Sequence, residues 1–334
     1  MNTIRWGILG CGRIARKFAS DLALVPNAKL IAVGSRSLEN ASAFAKEYPA
    51  PNIHGNYNSL VNDPEVDVIY VASPHGQHHE HVLLCLNHGK AVLCEKAFAL
   101  NGKQASEMIS LAREKKIFLM EALWSKFMPH YQLLMQWLRD GKLGPIQNVL
   151  INFGFAPTEP IPKRMFDPAL GGGSLLDIGI YNIFYALSVL GKPDKIEAFM
   201  TPSATGVDEQ SAILFRYNNG AMAQLFSSFS TNLPTEADIS GRNGRIRLST
   251  RYYEPSTQFE YYPDRVDSRQ IIPFIKEPGW GYHYEIKHVN ECLQKGLTES
   301  PVMSHADTML LMEVMDEVRR KMGVVYAADR ELGN

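Results

Sequence analysis

The chain has 334 residues, of which 45% are hydrophobic and 21% charged, with 34 basic and 35 acidic side chains and a formal net charge of -1. That length suits about two domains of ~150 residues, with enough apolar material for a core that needs no disulfide or metal staple. The near-balanced charge excludes a global attraction to nucleic acid or to an anionic membrane.

The opening MNTIRWGILG has no charged region followed by an apolar stretch, so no signal peptide is expected. No run is read as reaching the ~20 apolar residues that span a bilayer. The four cysteines, Cys11, Cys85, Cys94 and Cys292, form no C-x-x-C pair and read as reduced, packed thiols. A cytoplasmic protein without a membrane partner is the expectation.

In chain order, residues 3–9 form an apolar run ending in glycines, which reads as a buried strand. A helix follows over 13–24, a strand over 29–34 and a helix over 38–48. Residues 66–72 are strand-like, 77–87 helical with Gly89 as the stop, 91–94 strand, 102–115 helix and 117–121 extended. Alternating strands and helices predict right-handed crossovers and a parallel sheet. Residues 1–122 are thus expected to form an α/β, Rossmann-type domain.

The rhythm then changes. A helix is expected over 129–140, ended by Gly141 and Gly144, a strand over 147–155, and a helix over 173–190 closed by Gly191 and Pro193. Short β-rich runs fill 195 to about 272, with a hairpin signal at Asn218, Asn219 and Gly220. Two helices, 284–295 and 305–322, each carry their apolar residues on one face. Residues 123–334 therefore read as an α+β domain with a large, mainly antiparallel sheet.

The first βα turn carries Gly10, Gly12, Arg13, Ile14 and Ala15 in a G-x-G-x-x-A pattern, directly after a strand and opening a helix. Gly10 permits the tight turn, Gly12 lets a pyrophosphate reach the backbone, and Ala15 lets helix and strand pack closely. The helix N-terminus offers N–H groups and a positive dipole end to the anion. Dinucleotide enzymes that take NAD place an acidic residue at the end of the second strand. Here Ser35 and Arg36 stand there, with no carboxylate to repel a 2′-phosphate and a guanidinium to pair with it, so NADP(H) is expected over NAD(H). The competing reading leaves Arg36 on a solvated loop.

Ligands of such sheets bind at the carboxyl ends of the strands. Ser73, Pro74 and His75 follow one strand, with His78 opening the next helix, and are candidate cofactor contacts. Glu95 and Lys96 follow another, where the nicotinamide is expected. The ammonium of Lys96 is suited to bind a hydroxyl or to depress the pKa of a neighbouring acid. If helical, Asp177 and Tyr181 are i and i+4 and share a face. Tyr181 is then a candidate proton donor and acceptor, and Asp177 a candidate orienting group. A core tyrosine with a satisfied hydroxyl is the plain alternative. His78 and His81 have metal-like i, i+3 spacing, but no second ligand cluster accompanies them, so no metal is expected.

Together these residues resemble the Gfo/Idh/MocA oxidoreductases. The features occur in order: the glycine turn at 7–15, SPHGQH at 73–78, the Gly-Lys-x-Val-Leu-x-Glu-Lys stretch at 89–96 and GGG-x-x-x-D-x-G-x-x at 171–181. Within that family the chain is most similar to the dihydrodiol dehydrogenase branch, whose members also act as NADP-linked D-xylose dehydrogenases. KAVLCEK, FLMEALWSKF, LLDIGIY and EIKHVNECLQKGLTESPV carry this closer likeness. The resemblance implies that Lys96, Asp177 and Tyr181 are the catalytic group and that Trp124 and Phe153 line a closed substrate pocket. It further implies a homodimer formed through the open face of the C-terminal sheet. The family usually has proline after the Glu-Lys pair, and here Ala97 replaces it.

The expected activity is hydride transfer between NADP(H) and a carbon of a small-molecule sugar, vicinal diol or carbonyl compound. The alternatives are a sugar-carbonyl reductase of the same family, such as an anhydrofructose reductase, and an NADP-sensing protein without turnover.

Overall fold

A computed structural model describes residues 2–263 and 268–330. Met1, 264–267 and 331–334, which the expected domains include, lie outside the described residues. The strands are β1 (Ile4–Leu9), β2 (Ala28–Gly34), β3 (Asn52–His54), β4 (Val68–Val71), β5 (Ala91–Glu95), β6 (Leu119–Ala122), β7 (Ile146–Gly154), β8 (Lys195–Pro202), β9 (Asp208–Arg216), β10 (Met222–Ser228), β11 (Glu236–Gly241), β12 (Gly244–Ser249), β13 (Gln258–Tyr262) and β14 (Gln270–Ile272). The helices are α1 (Arg13–Leu22), α2 (Leu38–Glu47), α3 (Tyr57–Val61), α4 (His78–Asn87), α5 (Gly102–Lys115), α6 (Pro129–Arg139), α7 (Ile180–Leu190), α8 (Tyr282–Gln294), α9 (His305–Met322) and α10 (Ala327–Arg330).

Two compact units emerge: Met1–Phe127 with Glu277–Met309, and Met128–Lys276 with Leu310–Asn334. The first division lies close to the expected boundary at 122/123. The segment Glu277–Met309, expected in the second domain, instead groups with the first. The reason is polar as well as apolar. The fully buried carboxylate of Asp21, on α1, accepts the N–H groups of Trp280, Gly281 and Tyr282 at 2.8 Å each. An anion at the N-terminus of α8 is favourable there. Farther along α8, Asn290 accepts the indole N–H of Trp6 at 3.0 Å.

In the first unit a six-stranded parallel sheet runs β3-β2-β1-β4-β5-β6. This is the dinucleotide-binding order, with its reversal between β1 and β4. Every residue of β4 and β5 is buried, because helices cover both faces of such a sheet. The sequence reading missed β3 and α3. The three residues of β3 carry no apolar run and are held by register, with Ala32 opposite Asn52 and Gly34 opposite His54. Asn56 opens α3 by accepting the Ser59 amide at 2.8 Å.

The second unit holds an eight-stranded sheet in the order β14-β13-β12-β11-β7-β10-β9-β8. It is mixed: β7 and β10 pair in parallel, and the other neighbours are antiparallel. The expected hairpin joins β9 to β10, with Gly220 at φ +88° in its turn. Along β7, Val149 and Ile151 are buried under the helical layer while Leu150 between them is 42% exposed, the period of a sheet with one covered face.

The helix expected over 173–190 is two structures. Leu175–Gly179 is a π-helical turn, and α7 proper begins at Ile180. By length and composition Pro168–Leu190 is apolar enough to cross a membrane, which corrects the expectation that no run is. Its most apolar window is 72% buried within the protein, as suits the core helix of a folded unit.

Candidate active site

In the first unit the glycine turn has the form its sequence demands. Gly10 adopts φ +97°, and a Cβ there would stand 3.1 Å from the backbone carbonyl of Ala72 at the end of β4. Left-handed backbone and close approach both require glycine at that point. Gly12 caps α1, and a Cβ added to it would meet nothing within 4 Å. Arg13 is exposed, Ile14 half-buried and Ala15 fully buried against the sheet. No acidic residue occupies the first turn of α1. An open glycine at an uncapped, acid-free helix N-terminus fits the pyrophosphate of a dinucleotide.

At the end of β2, Ser35 is buried and Arg36 exposed. Arg36 lines a cavity of about 720 Å³ with Asn56, Tyr57, His79 and His81. The Tyr57 and His81 rings meet edge to face, 4.7 Å between centroids. Burial and the neighbouring Arg36 push the pKa of His81 down to about 4, and its Nδ1 lies 2.8 Å from the Ser73 hydroxyl. Tyr57, on a short helix, was missed by the sequence reading, and His81 entered it only through its metal-like i, i+3 spacing with His78.

Pro74 leads into a short 3₁₀ turn that starts at His75, whose ring stands edge-on to His78 at 5.7 Å. His78, expected beside the cofactor, is fully buried and ties two loops together. Its Nε2 lies 2.7 Å from the Ser73 carbonyl oxygen and its Nδ1 2.8 Å from that of Ala97. A neutral imidazole has one N–H, so both contacts become hydrogen bonds only in the charged ring. Burial, aided by His81 and Lys96, outweighs the two carbonyls and pushes the pKa to about 4.

The cysteine–glutamate end of β5 is held between β4 and β6, with Cys94 opposite Val71 and Glu95 opposite Ala122. Buried Glu95 accepts a short hydrogen bond from the Tyr70 hydroxyl. Lys96 is half-buried at the strand's carboxyl end, and the Lys96–Ala97 peptide bond is cis. Trp124, 6% exposed, stacks on Tyr282 with centroids 4.5 Å apart. Among the described residues no group of three His, Cys, Asp or Glu side chains is arranged to hold a metal ion.

In the second unit Asp177 sits in the π-helical turn and Tyr181 in the first turn of α7. The wider winding of a π turn replaces the α-helical i, i+4 spacing from which a shared face was expected. Tyr181, 5% exposed, has its ring 4.9 Å from that of Tyr253 and 6.1 Å from that of Phe153. Phe153 and Tyr253 stack at 4.6 Å. Burial raises the Tyr253 pKa, with the Glu254 carboxylate and, more weakly, that of Asp177 adding to the effect and Arg251 opposing it. Asp177 pairs with Arg164 at 3.3 Å. Arg164 comes from a short 3₁₀ turn (Lys163–Met165) and Tyr253 from a loop, and neither carries a periodic signal in the sequence.

Comparison with known proteins matches two adjoining stretches. Residues 4–123 match the oxidoreductase family with an NAD-binding Rossmann fold, and residues 131–247 match the GFO/IDH/MocA C-terminal domain. The chain is 38% identical over 337 residues to trans-1,2-dihydrobenzene-1,2-diol dehydrogenase of Mus musculus, covering 98% of this chain and 99% of that protein.

The chain belongs to the Gfo/Idh/MocA oxidoreductase family.

The same-named enzyme of Xenopus laevis is 37% identical over 331 residues, covering 96% of this chain and 99% of the other. Among solved structures, a 3-ketoreductase from Actinomadura kijaniata in complex with NADP and TDP-benzene superimposes with a TM-score of 0.85 at 26% identity, covering 96% and 98% of the two chains. This family member is thus an oxidoreductase with an NAD(P)-binding Rossmann unit and a mixed, mostly antiparallel second sheet.

Proposed function

We propose that this Gfo/Idh/MocA protein is an NADP(H)-dependent dehydrogenase acting on a CH–OH carbon of a vicinal diol or sugar, with Tyr181 as acid and base. The observation that carries the reading is the surroundings of Tyr181: a nearly buried phenol among Phe153 and Tyr253, one helical turn from the carboxylate of Asp177. The nicotinamide supplies hydride chemistry when bound. In the oxidative direction Tyr181 takes the hydroxyl proton, and in reduction it returns the proton to the carbonyl oxygen. The ammonium of Lys96 favours the ionised phenol and holds the substrate oxygen. Asp177 orients the substrate through its Arg164-paired carboxylate. Trp124 and Phe153 are assigned to apolar walls of the substrate site.

The preference for NADP over NAD is supported by Arg36, which lines a cavity next to the glycine turn's sheet with no carboxylate at positions 34–37. Ser35, Ser73, Pro74 and His75 are assigned to the cofactor through their place at strand ends, and Glu95 and His78 to the support of those loops. Likeness over nearly the full length to diol dehydrogenases favours a diol or its sugar analogue as substrate. The 26%-identical 3-ketoreductase favours a second reading, reduction of a sugar ketone by the same residues.

A homodimer through the open face of the second sheet is supported by its apolar side chains. Phe199 is 73% exposed, and Leu150, Met222 and Ile271 stand out on the same face. All four cysteines are unpaired, which suits a reducing, cytoplasmic setting.

The decisive experiment measures turnover of trans-1,2-dihydrobenzene-1,2-diol and D-xylose with NADP+ in the wild type, Tyr181→Phe and Lys96→Met. Losses in kcat of about 10²- to 10⁴-fold with cofactor affinity retained are expected. Normal turnover by either variant would sink the assignment.

A further inference from the structure

The glycine run that leads into Asp177 and Tyr181 is held by two buried groups. Asp208, the first residue of β9, is fully buried. Its Oδ2 accepts the backbone N–H of Leu175 and the hydroxyl of Ser174, both at 2.7 Å. An N-cap residue does this for a helix from the position just before it. Here the acceptor arrives from a strand 33 residues further along the chain. Gly173, at φ +116°, makes the approach possible, since a Cβ there would stand 2.3 Å from Asp208 Oδ1.

The contacts continue below the turn. Ser174 Oγ lies 3.0 Å from Ser227 Oγ, which lies 2.6 Å from Ser211 Oγ, all three buried. A Cβ on Gly179 would come within 3.0 Å of the Ser227 hydroxyl. The residues just before α10 hold the same loop: the Tyr326 hydroxyl donates to the Gly172 carbonyl at 2.6 Å. Tyr326 is itself fixed, with Arg319 over its ring at 5.1 Å and its amide on Asp329 at 2.8 Å. Arg319 pairs with Asp316 and Asp329 at 2.7 Å each.

We propose that Asp208 is a positioning residue for the reaction: its carboxylate sets where the π-helical turn Leu175–Gly179 begins, and so aims Asp177 and Tyr181, while Tyr326 clamps the loop before it. This inference rests on the reading of Asp177 and Tyr181 as reactive groups. The physical reason is the π turn itself. Its hydrogen-bond pattern is rare and survives as a single turn where the surroundings enforce it. An anionic acceptor at its first amide is such an enforcement, because charge-assisted bonds are short and strong and the helix N-terminus favours negative charge. Letting the turn relax toward α-helical winding would rotate the side chains that follow. Displacing a reacting group by about 1 Å costs on the order of 10²-fold in rate.

The test compares Asp208→Ala, Asp208→Asn and Tyr326→Phe, each alone and combined with Tyr181→Phe. The readouts are NADPH binding by fluorescence, diol turnover, and amide hydrogen exchange across residues 171–181. Asp208→Ala is expected to bind NADPH as the wild type does and to exchange the Leu175 amide faster. Its kcat should fall about 10- to 100-fold with little change in KM. Asp208→Asn retains an oxygen acceptor and should recover most of the loss, and Tyr326→Phe should show a smaller loss of the same kind. In the Tyr181→Phe background the Asp208→Ala substitution should cost less than it does alone, the remainder passing through Asp177. Unchanged exchange at Leu175 overturns the proposal, and so does an undiminished loss in that background. The exchange measurement decides the capping role whatever the substrate proves to be. Wild-type turnover by Tyr181→Phe alone would instead defeat the acid–base assignment, independently of Asp208. If Asp208→Ala does not fold, Ser174→Ala removes one donor while leaving the carboxylate, and a loss in the same direction is expected.

Discussion

His78 Nδ1 lies 2.8 Å from the carbonyl oxygen of Ala97, the residue that follows Lys96. Through this contact and the one to Ser73, a single ring joins the loop after β4 to the loop after β5. The ring is held neutral in the fold, with its pKa near 4, as are the rings of His81 and of His130, the last buried beside the Tyr252 carbonyl. A histidine whose folded pKa is depressed adds stability above its ordinary value of about 6.5, and that stability is lost as pH falls toward the folded pKa. The protein should therefore lose stability between about pH 6.5 and pH 4, by about 1–3 kcal/mol for each such histidine. Denaturant unfolding of wild type and His78→Gln across that range checks this. His78→Gln should be less stable at pH 7.5, by about 1–3 kcal/mol for the carbonyl left unpaired, and should show a flatter acid slope. An acid slope identical to that of the wild type would show that His78 does not titrate this way.

The two glycines of the phosphate turn should separate folding from binding. Gly10→Ala puts a methyl 3.1 Å from the Ala72 carbonyl on left-handed backbone, and should cost about 1–3 kcal/mol of stability as well as cofactor affinity. Gly12→Ala meets no protein atom within 4 Å. It should melt as the wild type does and still lose dinucleotide affinity, because the methyl occupies the approach to the helix end. Thermal melts alongside NADPH titrations check both variants. Tight NADPH binding by Gly12→Ala would remove the basis for placing the pyrophosphate there.

Arg36→Ala should lower affinity for NADP+ while leaving that for NAD+ nearly unchanged. Loss of a charge-assisted contact to the 2′-phosphate corresponds to about 1.5–3 kcal/mol, or roughly 10- to 100-fold in the ratio of the two affinities. Parallel titrations with the two cofactors measure the ratio. If it does not move, Arg36 is a solvated loop residue and the preference lies elsewhere.

Phe199→Glu tests the proposed homodimer. The side chain is exposed on β8, where its strand neighbour across the ladder is Ala212. A carboxylate placed in that apolar contact should shift sedimentation toward the monomer without lowering the monomer's melting temperature. A wild type that sediments as a monomer at micromolar concentration would exclude this interface.

Local pattern determined much of this protein. Apolar runs of strand length alternating with amphipathic helices require a parallel sheet, and Gly10, Gly12 and Ala15 state their own backbone and packing needs, so the Rossmann unit and its glycine turn were legible. The position of Lys96 after β5 was legible for the same reason, whereas Tyr181, expected inside a helix over 173–190, stands in the first turn of α7. What tertiary structure alone decided are contacts made across long stretches of chain. Asp21 draws α8 into the first unit through four amides that no local pattern announces. Asp208 sets the π turn that an α-helical spacing argument missed. Tyr253 reaches Tyr181 from a loop and Arg164 reaches Asp177 from a short 3₁₀ turn, where neither period nor propensity says which way a side chain points. Periodicity reports which face of an element is buried, whereas a buried polar group's partner is fixed only once the chain has closed around it.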